Sequence, residues 1–250
     1  MAQNLNLKIS KAAKLINFLN KFSPIDNSLL IEMNETEMKA KNYTVEKALV
    51  KYSAIPLSEI FSEYSEIKGD LKFGVHNIKR LVETCKFFGD TEFDMTLECS
   101  KINGETIGTL IVFKNSILTL EFQCAPLKLL NYVDDNTLNK KVFGDLTNAK
   151  VEFALSKENY GKVLSLFKLE DTPKVTFVKK GKKVTIKGSS FEILVVEDDN
   201  LKTLPDHSLS TLKTHYGYLD NENQDAYLMD DRIVFISKES DTKITIGEAD

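Results

Sequence analysis

Three cations occupy one recurring place in the chain. Lys14, Arg80 and Lys162 each follow by two residues the start of an apolar pattern at i, i+3, i+4 and i+7. The three patterns are Ala12, Leu15, Ile16, Leu19; Ile78, Leu81, Val82, Cys85; and Tyr160, Val163, Leu164, Phe167. Such spacing belongs to a helix lying on an apolar surface. At about 100° per residue the i+2 side chain points roughly 150° from the centre of that stripe. A fourth segment, Leu209, Leu212 and Tyr216, matches at three positions, with Thr211 at the i+2 place and Lys213 where an apolar residue belongs. Lys11, Lys21, Lys79, Lys86, Lys157 and Lys168 add cations at the flanks and ends of the helices. Cations held this way can neutralise phosphates without reading bases.

The 250-residue chain as a whole argues against such a role, because its net charge is −4 and its pI about 5.6. The distribution of charge points the other way. The windows 11–22, 77–88, 157–169 and 208–219 hold ten Lys/Arg against two Asp/Glu, leaving 23 against 35 elsewhere. Exposed helix faces are often lysine-rich, yet random placement would have made these helices as acidic as the rest. An acidic remainder would repel a polyanion from every other surface.

Other chemistry is not written in the sequence. There is no phosphate-cradling G-x-x-x-x-G-K-[ST] or G-x-G-x-x-G, no H-E-x-x-H, and no helix-turn-helix, zinc-finger or RRM signature. No cofactor, no metal and no catalytic activity are expected. Cys85, Cys99 and Cys124 lie in apolar stretches and read as buried thiols. His76 begins a helical stretch, where it caps or faces solvent. The pairs Asp134-Asp135, Asp198-Asp199 and Asp230-Asp231 suit turns better than metal. The run Lys179, Lys180, Lys182, Lys183 either touches phosphate or forms a solvated turn. No stretch approaches the roughly 20 apolar residues of a membrane span, and MAQNLNLKIS lacks the features of a secretory signal. A cytoplasmic protein is expected.

The elements that must position the cations come twice. LNLKIS (5–10), a helix over 11–22 and a hairpin over 28–42 around Asn34-Glu35 reappear as KVEFALS (150–156), a helix over 157–169 and a hairpin over 174–188 around Lys180-Gly181. The offset is about 146 to 148 positions, so Leu29, Ile31, Met38 and Ala40 correspond to Val175, Phe177, Val184 and Ile186. A period this long is a duplicated domain, not a solenoid. The first half continues with strands near 47–56 and 70–75, a helix over 77–88, and strands near 92–99, 106–113 and 117–124. The second continues with FEILVV (191–196), a helix over 208–219, and the short strands AYLMDD, RIVFIS and TKITIGEA. The reading is an α+β chain with domain 1 over 1–124, a connecting loop over 125–148 and domain 2 over 149–250.

These paired units, together with LKFGVHNIKRLVETCKFFGDTEFDMTLEC (71–99), resemble the DNA sliding clamps, the family of proliferating cell nuclear antigen and the T-even phage clamps. The resemblance covers nearly the whole chain. It implies two domains of the DNA-clamp fold, each with antiparallel sheets outside and two helices on an inner face, closing as a homotrimer around double-stranded DNA. Lys11, Lys14, Lys21, Lys79, Arg80, Lys86, Lys157, Lys162, Lys168 and Lys213 would then face the duplex. It also implies ring closure between strand 117–124 (Ile117, Leu118, Leu120, Phe122) and strand 191–196 (Phe191, Ile193, Val195) of the next subunit, unless either is an interior strand. A pocket for partner peptides would involve Leu127, Leu129, Leu130, Tyr132, Val133 and Ile246, unless these only tack the loop down. The partners implied are a DNA polymerase, which the ring makes processive, and an ATP-dependent clamp loader. The composition, rich in Asn, Lys and Ile, suggests a phage or viral source. Alternatives are a clamp-fold subunit acting as monomer or dimer, and a viral transcription coactivator riding on DNA.

Overall fold

The computed structural model describes residues 3–67, 69–89, 91–169 and 171–249. The alternating N-terminal segment forms β1 (Gln3–Ile9), and the first apolar stripe forms α1 (Ala12–Asn20). β2 (Leu29–Met33) and β3 (Glu37–Tyr43) make the hairpin, whose turn is closed by the Asn34 side chain accepting the backbone N–H groups of Thr36 and Glu37, both at 2.9 Å. Next come β4 (Leu49–Pro56), β5 (Phe61–Tyr64), β6 (Leu71–Val75), α2 (Ile78–Phe87), β7 (Phe93–Ile102), β8 (Glu105–Lys114) and β9 (Thr119–Gln123). The connecting stretch holds a 3-10 turn (Leu127–Leu129), α3 (Asp135–Thr137) continuing as a π-helical turn (Leu138–Phe143), and a 3-10 turn (Leu146–Asn148). Then follow β10 (Val151–Leu155), α4 (Lys157–Phe167), β11 (Lys174–Lys180), β12 (Lys183–Lys187), β13 (Glu192–Glu197) and a 3-10 turn (Asp199–Thr203). β14 (His207–Leu212), a 3-10 turn (Lys213–Tyr218), β15 (Gln224–Leu228), β16 (Arg232–Ser237) and β17 (Asp241–Gly247) follow in turn.

Two compact units result. The first holds the chain up to Tyr43 and Tyr52–Tyr132; the second holds Thr44–Lys51 and the chain from Val133 on. The dividing point lies inside the connecting stretch, and a piece of β4 belongs to the second unit. In the first unit the sheet runs β3-β2-β6-β8-β7-β1-β5, antiparallel except for β6 with β8, and β9 pairs with β8. α1 and α2 lie side by side on one face. Leu15 and Leu19 of α1 and all four stripe residues of α2 are buried there with Leu5, Leu7 and Ile9 of β1.

The second unit has one sheet of β10, β15, β16 and β17 and another in the order β13-β12-β11-β14. Its hairpin keeps the register of the first: Ile31 pairs with Ala40, and Phe177 pairs with Ile186. The repeat seen in the sequence is therefore a repeat of strand, helix and hairpin in space. Burying Tyr160, Val163 and Phe167 of α4 completes the parallel.

The helix expected over 208–219 does not exist. His207–Leu212 is β14, paired with β11, and Lys213–Tyr218 is a 3-10 turn. Across Ser208–Thr211 two serines alternate with the buried Leu209 and the buried, β-branched Thr211, which is strand patterning. The match of Leu209, Leu212 and Tyr216 to helical spacing is coincidental. Thr211 is fully buried and hydrogen-bonds the Tyr216 hydroxyl at 2.6 Å. The Tyr216 ring lies 5.3 Å from Phe167, 5.7 Å from Phe177 and 6.1 Å from Phe235, which joins helix and both sheets in one core.

A lysine stands in the interior of the second unit. Lys51, 1% exposed, donates to the Tyr218 carbonyl at 2.8 Å and pairs with Asp220 at 2.7 Å. Removing one partner of a buried pair leaves the other charge desolvated. Asp220→Ala should therefore cost about 3–5 kcal/mol, whereas the double replacement Lys51→Met, Asp220→Leu should recover most of that. Urea denaturation of the two variants checks the difference.

Candidate nucleic-acid interface

In the first unit, Lys11, Lys14, Lys79, Arg80 and Lys86 are exposed on neighbouring helices, on the side away from the sheet. The stripe fixes this. Ala12, Leu15 and Leu19 of α1 and Ile78, Leu81, Val82 and Cys85 of α2 are buried, which turns the i+2 position to solvent. Asn77, rather than His76, caps α2, accepting the Arg80 backbone N–H at 2.8 Å. His76 is exposed, and its ring stacks on Phe122 at 5.1 Å. In the second unit, Ser156 caps α4, and Lys157, Lys162 and Lys168 are exposed.

These cations are not equivalent. Lys14 pairs with Glu59 at 3.0 Å, Lys86 with Glu83 at 2.8 Å and Lys162 with Glu158 at 2.7 Å. The hydrogen bond from Lys162 holds the Glu158 carboxyl below the usual carboxylate range. Among the described residues, Lys11, Lys79, Arg80, Lys157 and Lys168 have no carboxylate within ion-pair distance. Sequence spacing could find the Glu83 and Glu158 pairs, which lie three and four residues from their lysines. It could not find Glu59, which lies 45 residues from Lys14.

Lys11 and Lys157 stand at helix N-termini, where the macrodipole is positive. A cation there opposes helix stability, so local energetics do not account for either residue. Lys21, half-buried, caps the C-terminus of α1, where a cation is favourable. Lys213 leaves the set that faces outward from helices, because it begins the half-buried 3-10 turn described above. Three of the four lysines of the run already meet carboxylates, while Lys180 is exposed. Lys179 is buried against the Leu204 carbonyl and Asp206, and Lys182 and Lys183 both meet Glu197.

The other expected sites are placed unevenly. β9 pairs only with β8 and β13 only with β12 among the described residues, so both are edge strands. Ile117 is 92% exposed; Leu118, Leu120, Phe191 and Ile193 are half-buried; Phe122 and Val195 lie in the core. The edge also offers Leu194, 45% exposed, which the alternation of the strand does not single out. Of the pocket residues, Leu129 and Tyr132 are exposed, and Leu127 and Val133 are half-buried. Leu130 packs on Leu30 and Ala125, and Ile246 is fully buried on β17, so neither side chain is open to a peptide.

Asp134 and Asp198 cap short helical turns, accepting Thr137 and Asn200 backbone N–H groups at 2.9 Å, as residues of turns do. No cluster of metal-ligating side chains occurs among the described residues. No helix among the described residues is long and apolar enough to cross a membrane. The three thiols are buried and free, and burial pushes Cys85 and Cys124 up to about 12 and Cys99 up to about 11. Iodoacetamide at about pH 8 should therefore leave all three unmodified in the folded protein and label them only in denaturant. Mass spectrometry reads the outcome.

A repeat of strand, helix and hairpin, helices on one sheet face and open edge strands together make the DNA-clamp fold of the sliding clamps. Solved structures share it over 98% of this chain. Proliferating cellular nuclear antigen from Entamoeba histolytica matches with a TM-score of 0.66 at 13% identity over 99% of its own chain. The Helicobacter pylori beta clamp bound to a DNA ligase peptide matches with 0.67 at 13% identity over 66% of its chain. The A. fulgidus PCNA carrying the C-terminal region of FEN-1 matches with 0.66 at 11% identity over 97% of its chain. No protein-family model matches the chain, and no curated protein sequence matches it. At these identities the likeness establishes the fold.

Proposed function

We propose that this chain is the subunit of a sliding clamp: a ring that encircles duplex DNA without sequence preference and makes a DNA polymerase processive. The observation that carries the reading is the partition of charge in a clamp-fold chain. Its three α-helices with apolar stripes hold cations on their solvent sides, while the protein as a whole is acidic. Phosphate neutralisation by such cations is salt-dependent and blind to sequence, which suits an object that slides. Two clamp domains joined by the 125–148 connecting loop fit the repeat. Three subunits would supply the helices of a closed ring, and an ATP-dependent loader would open it. A phage or viral source fits the composition.

Closure would join β9 of one subunit to β13 of the next. Each is an edge strand with main-chain groups to offer, and each carries apolar side chains left partly in water, as do Leu194 on β13 and Ile117 just before β9. Edge pairing supplies hydrogen bonds and those side chains supply burial. Native mass spectrometry across a concentration series should show a species of about 85 kDa, three times 28.3 kDa. Leu194→Lys should shift the population to monomer. Monomer alone at every concentration would sink the ring.

The ion pairs rank the cations. Lys14 is already balanced by Glu59, whereas Arg80 has no such partner among the described residues. Arg80→Glu should therefore reduce polymerase processivity more than Lys14→Glu, and Lys14, Arg80 and Lys162 all changed to Glu should nearly abolish it. Each lost phosphate contact should lower the salt slope of DNA association by about 0.9. A triple variant with unchanged processivity defeats the reading.

A further inference from the structure

Gly161 stands in the middle of α4, where glycine destabilises a helix relative to alanine. Nothing local requires it. Its φ is not positive, and a Cβ there would meet no atom of the described residues within 4 Å. The missing side chain leaves a notch in a groove of about 550 Å³, lined by Glu158, Gly161, Lys162, Ser165 and Leu166 of α4 and Ile193 of β13. Leu166 and Ile193 are half-buried, and the Ser165 hydroxyl turns back to donate to the Gly161 carbonyl at 2.9 Å. Phe87 is the converse case. It ends α2 nine residues after the buried Ile78, so it lies roughly 180° around the helix from it. Its own chain leaves the residue 75% exposed.

We propose that the Phe87 ring of one copy fills the Gly161 notch of the next. The inference rests on the ring reading above and adds a contact between helices to its joint of strands. Both features lie beside the edges to be joined. The groove reaches β13 at Ile193, and Phe88 lies 6.2 Å from Phe113, the cross-strand partner of Leu120 on β9. The directions agree as well. His76, just before α2, stacks on Phe122, and Phe88, just after it, approaches the Leu120 level, so α2 runs against β9. Asn159, early in α4, donates to the Val195 carbonyl, and Phe167 at its end meets Phe191, so α4 runs against β13. If β9 joins β13 antiparallel, as it joins β8, then α2 and α4 also run antiparallel. The last turn of α2 thereby faces the first turns of α4. Charge completes the match. Lys86 with Glu83 flanks the ring, and Lys162 with Glu158 flanks the notch. Antiparallel helices set Lys86 toward Glu158 and Glu83 toward Lys162, and exposed pairs exchange at little cost.

The test uses full-length chains. Phe87→Cys and Gly161→Cys variants, co-expressed and treated with a short bis-maleimide, should give a covalent dimer on denaturing electrophoresis. Neither variant alone should, because the native thiols are buried. Separately, Phe87→Ser should raise the concentration at which the trimer half-dissociates, read by native mass spectrometry, at least about tenfold. Gly161→Leu should do the same. Leucine suits a helix better than glycine, so circular dichroism should show the fold kept while assembly is lost. No cross-link, or variants that hold the trimer as tightly as wild type, would overturn the notch and leave the strand joint standing. A wild-type protein that stays monomeric at every concentration overturns both.

Discussion

Burial of one apolar stripe per helix governs the arrangement of everything that bears on function. Successive residues are about 100° apart, so a helix that slipped by one position would turn Lys14 or Arg80 toward the sheet. Leu15 and Leu19, or Leu81 and Val82, forbid this, since exposing a Leu or Val forgoes about 1.5–3 kcal/mol of transfer energy. The phase of the cations is thus set by the residues they never touch. Strand geometry acts similarly on the edges: Phe122 and Val195 in the core hold β9 and β13 in register while their main chains stay open.

Much of this was legible in the sequence because the two periods, 3.6 and 2, do not imitate each other over long segments. α1, α2, α4 and both hairpins fall where the apolar spacing puts them. Over short segments the periods do collide. Leu209, Leu212 and Tyr216 satisfied a helix at three positions, although the run around Ser208–Thr211 alternates and pairs with β11. β5, only four residues long, gave too little alternation to stand out. The transfer of 44–51 to the second unit has no local signal, because the Asp220 that pairs with Lys51 lies 169 residues away. Ion pairs such as Lys14 with Glu59 are equally invisible, being properties of the folded surface.

The electrostatics combine general solubility with local exceptions. Carboxylates balance Lys14, Lys86 and Lys162, so the helix faces carry less free charge than their lysine count implies. Exposed pairs of this kind contribute only about 0–1 kcal/mol each and exchange partners readily. Lys11 and Lys157, set against their own helix dipoles, are the places where local rules are broken. Such violations concentrate at functional positions.

The piece of β4 that belongs to the second unit has a consequence for how the protein is made. Residues 44–51 leave the ribosome early, while β17, whose Gly247 amide bonds the Ala48 carbonyl at 2.7 Å, follows far behind. Lys51 waits for Tyr218 and Asp220, and β17 gains residues 44–51 as its neighbour only once it too has emerged. A fragment beginning at Val133 would never acquire that neighbour and would keep a bare sheet edge, an invitation to aggregation. The second unit therefore cannot be cut free of what precedes it, and its maturation must wait until β17 has been translated.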